Sequence, residues 1–233
     1  MKKIAISQSN YLPWKGYFDL INSVDEFIIL DTVQFTKRDW RNRNKIKTYQ
    51  GLKWITLPVM QKGNYFNNII DMEISDSDWI VNHLNIIENS YRKSPYFKEV
   101  YEFIKNMFSK CENLKKLSQI NKVLITEICF VLQIRTKIVS SEDFKVTGEP
   151  NFRLIDICKA VNATHYLSGP AAKSYLDEKL FKENGLYVEW MNYDGYPEYN
   201  QQFGEFIHQV SVIDLLFNVG LENAKNYINT NNR

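Results

Sequence analysis

Within its first 31 residues the chain sets out a strand, a loop, a helix and a second strand, and that unit constrains what the remainder can fold into. Ile4-Ala5-Ile6 is an apolar run that stops at polar Ser7 and Gln8. Trp14 to Asn22 carries Trp14, Phe18 and Ile21 on one helical face at i, i+4 and i+7, and Ser23 and Asp25 break it. Phe27-Ile-Ile-Leu30 is continuously apolar, as a parallel strand covered on both faces must be, and it ends at Asp31. A βαβ unit predicts a parallel sheet with a right-handed crossover. It also predicts where a site lies: at the carboxyl ends of strands, beside the unpaired N–H groups that open the next helix.

The alternation is interrupted and then resumes. Lys45 to Tyr49 and Lys53 to Leu57, with Gln50-Gly51 between them, read as a hairpin closed by Pro58. Ile69 to Ile74 reads as a further strand. Helices follow from Asp76 through Tyr91, from Tyr96 to Lys110 and from Leu114 to Leu132. Thr136 to Ser140 is a strand and Asn151 to Val161 a helix. His165 to Ser168 is a strand ending at Gly169-Pro170. One helix is expected over Ala171 to Glu183, with Pro170 in its first turn and Gly185 at its stop. Leu186 to Trp190 is the last strand, and Ser211 to Asn218 opens a final helical stretch ending at Gly220. The fold class is therefore α/β: a mostly parallel, Rossmann-like sheet with an edge β-hairpin and a three-helix insertion. A single domain is expected over 1–233, with the hairpin or edge insertion at 32–75 and the helical insertion at 76–132.

Composition narrows the function classes. A net charge of +2 across 233 residues gives no reason to expect nucleic acid as the main ligand. No apolar run approaches the ~20 residues that span a bilayer. The start turns polar too soon for a signal peptide, and a cytoplasmic location is expected. Cys111, Cys129 and Cys158 are odd in number and lack metal-ligand spacing, which suits buried thiols in a reducing compartment. There is no HxxxH or HExxH pattern, no GxxxxGK[ST], no GxGxxG and no GxSxG.

Two strand ends carry chemistry. Ser7-Gln8-Ser9-Asn10 precedes Tyr11, Trp14, Lys15 and Tyr17, and Ser168-Gly169 precedes Lys173 in the turn of the next helix. Hydroxyls, amides and a glycine beside a helix start suit a phosphate or carboxylate. The run Lys37-Arg38-Asp39-Trp40-Arg41-Asn42-Arg43-Asn44-Lys45 adds guanidinium forks for phosphate and an indole face for a base or sugar. Arg38, Arg41, Arg43 and Lys173 are the expected phosphate contacts. Gln8, Asn10, Tyr11, Trp14, Tyr17, Trp40, Asn44, Ser168, Gly169 and Tyr199 are expected to line the substrate. Asp31, His208 and Lys15 are the candidate catalytic groups, since a base of near-neutral pKa is needed before an amine can attack. His83 and His165 read as structural. Tyrosines, glutamines and glycines between Tyr193 and Gly204 suit a sugar.

The chain resembles the WbqC-like family over nearly its whole length. The resemblance rests on Gln8, Asn10-Tyr-Leu-Pro-Trp14, Gly16-Tyr17-Phe18, Asp25, Asp31, Gln34-Phe35, Lys37-Arg38, Trp40 and Arg43-Asn44. It continues in Trp54 to Pro58, Tyr166-Leu-Ser-Gly169, Tyr175-Leu176 and Ile213 to Asn218. Ser9 stands where the family pattern has proline. The resemblance implies a place in bacterial surface polysaccharide (O-antigen) biosynthesis. It implies transfer of a small acyl or aminoacyl group, such as glycyl, to an amino or hydroxyl group of a nucleotide-linked sugar, a nucleotide-linked amino sugar being the expected partner. The layout is also similar to that of adenylyl-transferring enzymes such as pantoate–β-alanine ligase, with Trp14-Lys15-Gly16-Tyr17 in place of their His-x-Gly-His. That similarity keeps open an ATP-dependent ligase using Mg²⁺. A non-catalytic protein that binds a sugar nucleotide or partners a glycosyltransferase is a third alternative. The residues fix no cofactor, acyl donor or oligomeric state.

Overall fold

A computed structural model describes residues 1–63, 66–144 and 148–228. In chain order its main elements are β1 (Lys3–Ser7), α1 (Lys15–Asn22), β2 (Glu26–Ile29), β3 (Arg43–Thr48) and β4 (Gly51–Thr56). Then come α2 (Trp79–Tyr91), α3 (Phe97–Ser109), α4 (Leu117–Val131), β5 (Lys137–Ser140) and α5 (Pro150–Ala160). The chain closes with β6 (His165–Ser168), α6 (Glu178–Glu183), β7 (Tyr187–Trp190) and α7 (Val212–Val219).

Five strands form one sheet in the order β5-β2-β1-β6-β7, and every pair is parallel. The register places Ile4 opposite Glu26 and Tyr166, so β1 is central. Side chains alternate between the two faces of each strand, and two cores result. Ile4, Ile6, Ile28 and Leu30 pack with Leu154, Ile157 and Phe181. Ala5, Phe27 and Ile29 pack on the other face with Phe18 and Ile21 of α1 and with the helical insertion. Both faces of β1 and β2 are thus covered, which is why these strands read as unbroken apolar runs.

The hairpin β3–β4 is a separate two-stranded antiparallel sheet, paired from Arg43↔Thr56 to Thr48↔Gly51. Its inner residues Ile46 and Ile55 are buried in the core that also holds α2, α3 and α4. Helix α7 is buried along its whole length and ends at Gly220, whose φ of +83° only glycine adopts without strain. Among the described residues, no helix is long and apolar enough to cross a membrane.

Two expected elements differ. Residues 69–74 are not a strand. Ile69–Asp71 is a 3₁₀ turn, pinned by Ile69 N–H to the Val33 carbonyl and Ile70 N–H to the Asp31 carbonyl, both at 2.9 Å. Ile69 and Met72, three apart, are buried together, which is the spacing of a 3₁₀ turn. The helix expected over Ala171 to Glu183 is broken into a 3₁₀ turn, Pro170–Ser174, and the short α6. Asn151 Oδ1 accepts from Asp177 N–H at 3.0 Å, and the Asp177 carboxylate caps α6 through Leu180 N–H at 3.0 Å.

Candidate functional site

The connection after β1 leads to β2 on one side, and the connection after β6 leads to β7 on the other. Their carboxyl ends therefore form a switch point, where parallel sheets open a crevice. A cavity of about 800 Å³ lies there. Ser7 and Gln8 follow β1, Ser168 and Gly169 follow β6, Trp14 and Tyr17 stand at the start of α1, and Pro150, Asn151 and Arg153 at the start of α5. Asn10, Arg41, Tyr166, Tyr175 and Tyr193 complete its polar and aromatic walls. A smaller cavity of about 180 Å³ shares Asn10 and Trp14 and is closed by Trp40, Asn44 and Gln209.

The loop between β1 and α1 is held from several directions. Asp31 is fully buried; its Oδ1 accepts from Ser9 N–H at 2.8 Å and its Oδ2 from the Ser118 hydroxyl. Asn121 of α4 donates to the Ser9 hydroxyl at 2.9 Å and to the Arg41 carbonyl at 2.8 Å. Asn44 donates to the Leu12 carbonyl at 2.8 Å, and Tyr11 N–H to the Trp40 carbonyl at 3.0 Å. The Tyr17 hydroxyl donates to the Gln8 carbonyl at 3.0 Å, and burial, then the Asp31 charge, push its pKa well above the ordinary value. Arg41 donates to Asn10 Oδ1 and pairs with Asp39 at 3.5 Å. Trp14 stands edge-on to Tyr193 at 5.2 Å between ring centroids and to Tyr196 at 5.9 Å.

Of the residues expected from the sequence, Gln8, Asn10, Trp14, Tyr17, Arg41, Ser168 and Gly169 line the large cavity, and Trp40 and Asn44 the small one. The others lie elsewhere. Asp31 holds the loop from beneath, with both carboxylate oxygens engaged. Tyr11 is fully buried, its hydroxyl 2.6 Å from His83 Nδ1. Arg38 is exposed, and its carbonyl accepts from Arg43, whose guanidinium lies over Trp54. Lys173 is exposed with its amine 5.3 Å from the Trp190 ring centre. The Tyr199 hydroxyl donates to Asp214 Oδ1 at 2.7 Å.

Lys15 and His208 are neighbours in a second aromatic enclosure. The Lys15 amine donates to the Pro197 carbonyl at 2.9 Å and sits over the rings of Tyr196, Tyr199 and Phe206, at 5.1 to 5.5 Å. Burial pulls its pKa down to about 8, against the opposing pull of Glu198 and Asp214. Burial and then the Lys15 charge lower the pKa of His208, whose buried Nδ1 has no hydrogen-bond partner among the described residues.

Sequence reasoning missed Arg153 and Tyr175 as cavity walls, whereas Tyr193 opens the loop it read as suiting a sugar. Arg153 carried one usable signal: it falls in the first turn of a helix opened by Gly148-Glu149-Pro150, at the carboxyl edge of the sheet. Its Nη2 donates to the Gly148 carbonyl at 2.7 Å, and its Nε is buried with no partner among the described residues. Among the described residues, Arg41 and Arg153 are the charged side chains that line the two cavities, and no carboxylate, histidine or lysine does so. The start of α5 adds its partial positive charge, so the fixed charge on these walls is positive.

The sequence profile of the WbqC-like protein family matches residues 8–226. The uncharacterized protein Rv1507c of Mycobacterium tuberculosis (strain ATCC 25618 / H37Rv) is 46% identical over 228 residues, 98% of each chain. No solved structure matches the chain. The profile spans both strand ends, the basic-aromatic run, the helical insertion and α7, and the chain belongs to the WbqC-like protein family.

Proposed function

We propose that the protein binds a nucleotide-linked amino sugar across the switch-point cavity and transfers a small acyl or aminoacyl group to it, in the synthesis of a bacterial surface polysaccharide. One observation carries this reading: a cavity at the switch point whose charged walls are Arg41 and Arg153, beside the start of α5. Its volume of about 800 Å³ falls in the range of small-molecule sites. In this reading the arginines hold the diphosphate, and Trp14 and Tyr193 offer flat faces to a base or sugar ring. Gln8, Asn10 and Ser168 supply amides and a hydroxyl for the sugar's polar groups. The neutral amine then attacks the acyl carbonyl carbon. A C–N bond forms, the bond to the donor's leaving group breaks, and the amine proton leaves with the leaving group or to water.

A second reading, binding without turnover, is favoured by a different observation. The cavity walls hold no carboxylate, histidine or lysine among the described residues, so they offer no obvious base for that proton. Calorimetry with UDP- and dTDP-linked 4-amino sugars, followed by mass spectrometry with thioester donors or with glycine, ATP and Mg²⁺, separates the two. Binding that Arg41→Ala and Arg153→Ala each weaken by about tenfold or more, with a product heavier by the acyl group, supports the transferase. The same binding with no mass gain supports the binding protein. No binding of any sugar nucleotide would sink both.

A further inference from the structure

We infer that the exposed pair Trp40 and Trp54, with Arg43 and Lys45, is a second binding site, distinct from the switch-point cavity, that takes the phosphorylated nucleoside of a small soluble acyl donor. Naming the ligand a donor rests on the transferase reading above; the site itself rests on the geometry of the hairpin.

Lys45 on β3 is paired directly with Trp54 on β4, and Arg43 lies two residues along the same face. The Trp40 indole, from the loop before the hairpin, meets Trp54 at 5.3 Å between ring centroids, tilted by 42°. Both indoles are 39% exposed, although tryptophan is ordinarily well buried. The Arg43 guanidinium carbon lies 4.1 Å from the Trp54 ring centre, and the Lys45 amine 5.2 Å from Trp54 and 6.0 Å from Trp40. No carboxylate lies within ion-pair distance of Arg43 or Lys45 among the described residues. Arg43 Nε is buried with no hydrogen-bond partner among the described residues.

Indole faces take a base or a sugar ring; the two cations decide between them. A neutral glycan gains nothing from charge, whereas a nucleotide places its base on the indoles and its phosphate on Arg43 and Lys45. The patch is small and the chain's net charge is only +2, which suits a free nucleotide rather than the many phosphates of an RNA. Position supplies the link to the reaction. Trp40 also walls the small cavity, and the other walls Asn10 and Trp14 belong to the large one. A nucleoside on the indole pair thus has a lined path for its reactive end toward the sugar nucleotide.

The test uses calorimetry on the full chain with coenzyme A and ADP as probes of the indole site and UDP as the probe of the large cavity. Coenzyme A and UDP are expected to bind together, neither displacing the other. Trp54→Leu and Lys45→Gln are each expected to weaken coenzyme A and ADP by about tenfold, while Trp54→Phe, which keeps a flat face, restores most of the binding. UDP affinity is expected to stay within about twofold in all three variants, and unchanged thermal unfolding guards against a folding defect. Competition between UDP and coenzyme A would overturn the second site and leave the transferase proposal standing. Variant-sensitive nucleotide binding with no binding of UDP or any sugar nucleotide would keep the site and remove its link to that proposal. Tight binding of an RNA ending in CCA, with none of coenzyme A or ADP, would overturn the soluble-donor assignment.

Discussion

Gly16 shows how one missing carbon shapes the site. A Cβ built there would lie 2.3 Å from Trp14 Cζ2, so the indole rests directly on the glycine backbone. Gly16→Ala must push Trp14 away from Tyr193 and Tyr196. The expected cost is ~1–3 kcal/mol in urea unfolding, as for other overpacked sites, together with weaker sugar-nucleotide binding. Wild-type values for both would show that Trp14 has no part in the site. His83 makes a second case, this time set by pH. A carbonyl only accepts, so Nε2–H donates to Thr56 at 3.0 Å, and neutral Nδ1 accepts from the Tyr11 hydroxyl. Burial pulls the pKa of His83 down to about 4, although Thr56 and Asp76 act in the opposite direction. An unfolded histidine titrates near 6.5, so between these values the unfolded chain binds a proton that the folded chain refuses. The His83 contribution is whole above pH 6.5 and is lost as pH falls through about 4, amounting to about 3 kcal/mol by linkage. Urea unfolding at stepped pH values tests this: His83→Gln should flatten the slope in that window, and an unaltered slope would refute the assignment.

The stretch from Met191 to Ser211, between β7 and α7, has no regular structure of its own, and side chains from other elements hold it down. Tyr196 donates to Asp19 at 2.7 Å, and Gln201 Nε2 and Tyr199 both donate to Asp214 Oδ1 at 2.7 Å. Burial raises the pKa of Asp214 even against these donors. The Lys47 amine of β3 donates to Gln201 Oε1 at 2.9 Å and to the Glu205 carbonyl. Lys47→Met removes the ammonium donor and leaves Gln201 Oε1 with the Ile207 N–H, at 2.9 Å, as its remaining donor among the described residues. It should cost ~1–3 kcal/mol and speed amide exchange in residues 199–207 while β1 stays protected. Uniform protection would show that the arm stands without Lys47. Elements like this arm explain which parts were legible in the sequence. The parallel strands were, because cover on both faces writes itself as an apolar run. Residues 69–74 were not, because their apolar spacing fits a strand as well as a 3₁₀ turn, and the distant carbonyls of Asp31 and Val33 decide. Ala171 to Glu183 has helical spacing, but Asn151 seizes Asp177 N–H from 26 residues away and restarts the helix there.

At the scale of the molecule, the site is an effect of topology. Gln8 and Asn10 were legible because polar residues directly after a buried strand must lie at a sheet edge. Arg153 was not, because only the strand order β5-β2-β1-β6-β7 carries the start of α5 to the mouth of β1. Arg41 reaches the cavity from the face that bears α1 and the helical insertion, while Arg153 reaches it from α5, which packs on the other core. An anion held by both guanidinium groups therefore ties together the two layers that the sheet keeps apart. Such a ligand at about 100 times its Kd should stabilise the chain by about 2.7 kcal/mol, raising the melting temperature. Arg153→Ala should leave the melting temperature of the free protein nearly unchanged, because the side chain's hydrogen bond to Gly148, its one such bond among the described residues, is exposed. With ligand at the same concentration, the variant should lose about half of the rise, since a tenfold weaker Kd removes about 1.4 kcal/mol. Amide exchange should report the bridge separately, slowing at the start of α5 and around Arg41 together. If ligand slowed exchange on one side alone, the two arginines would not share an anion, and the charged pair at the switch point would have to be assigned to two ligands.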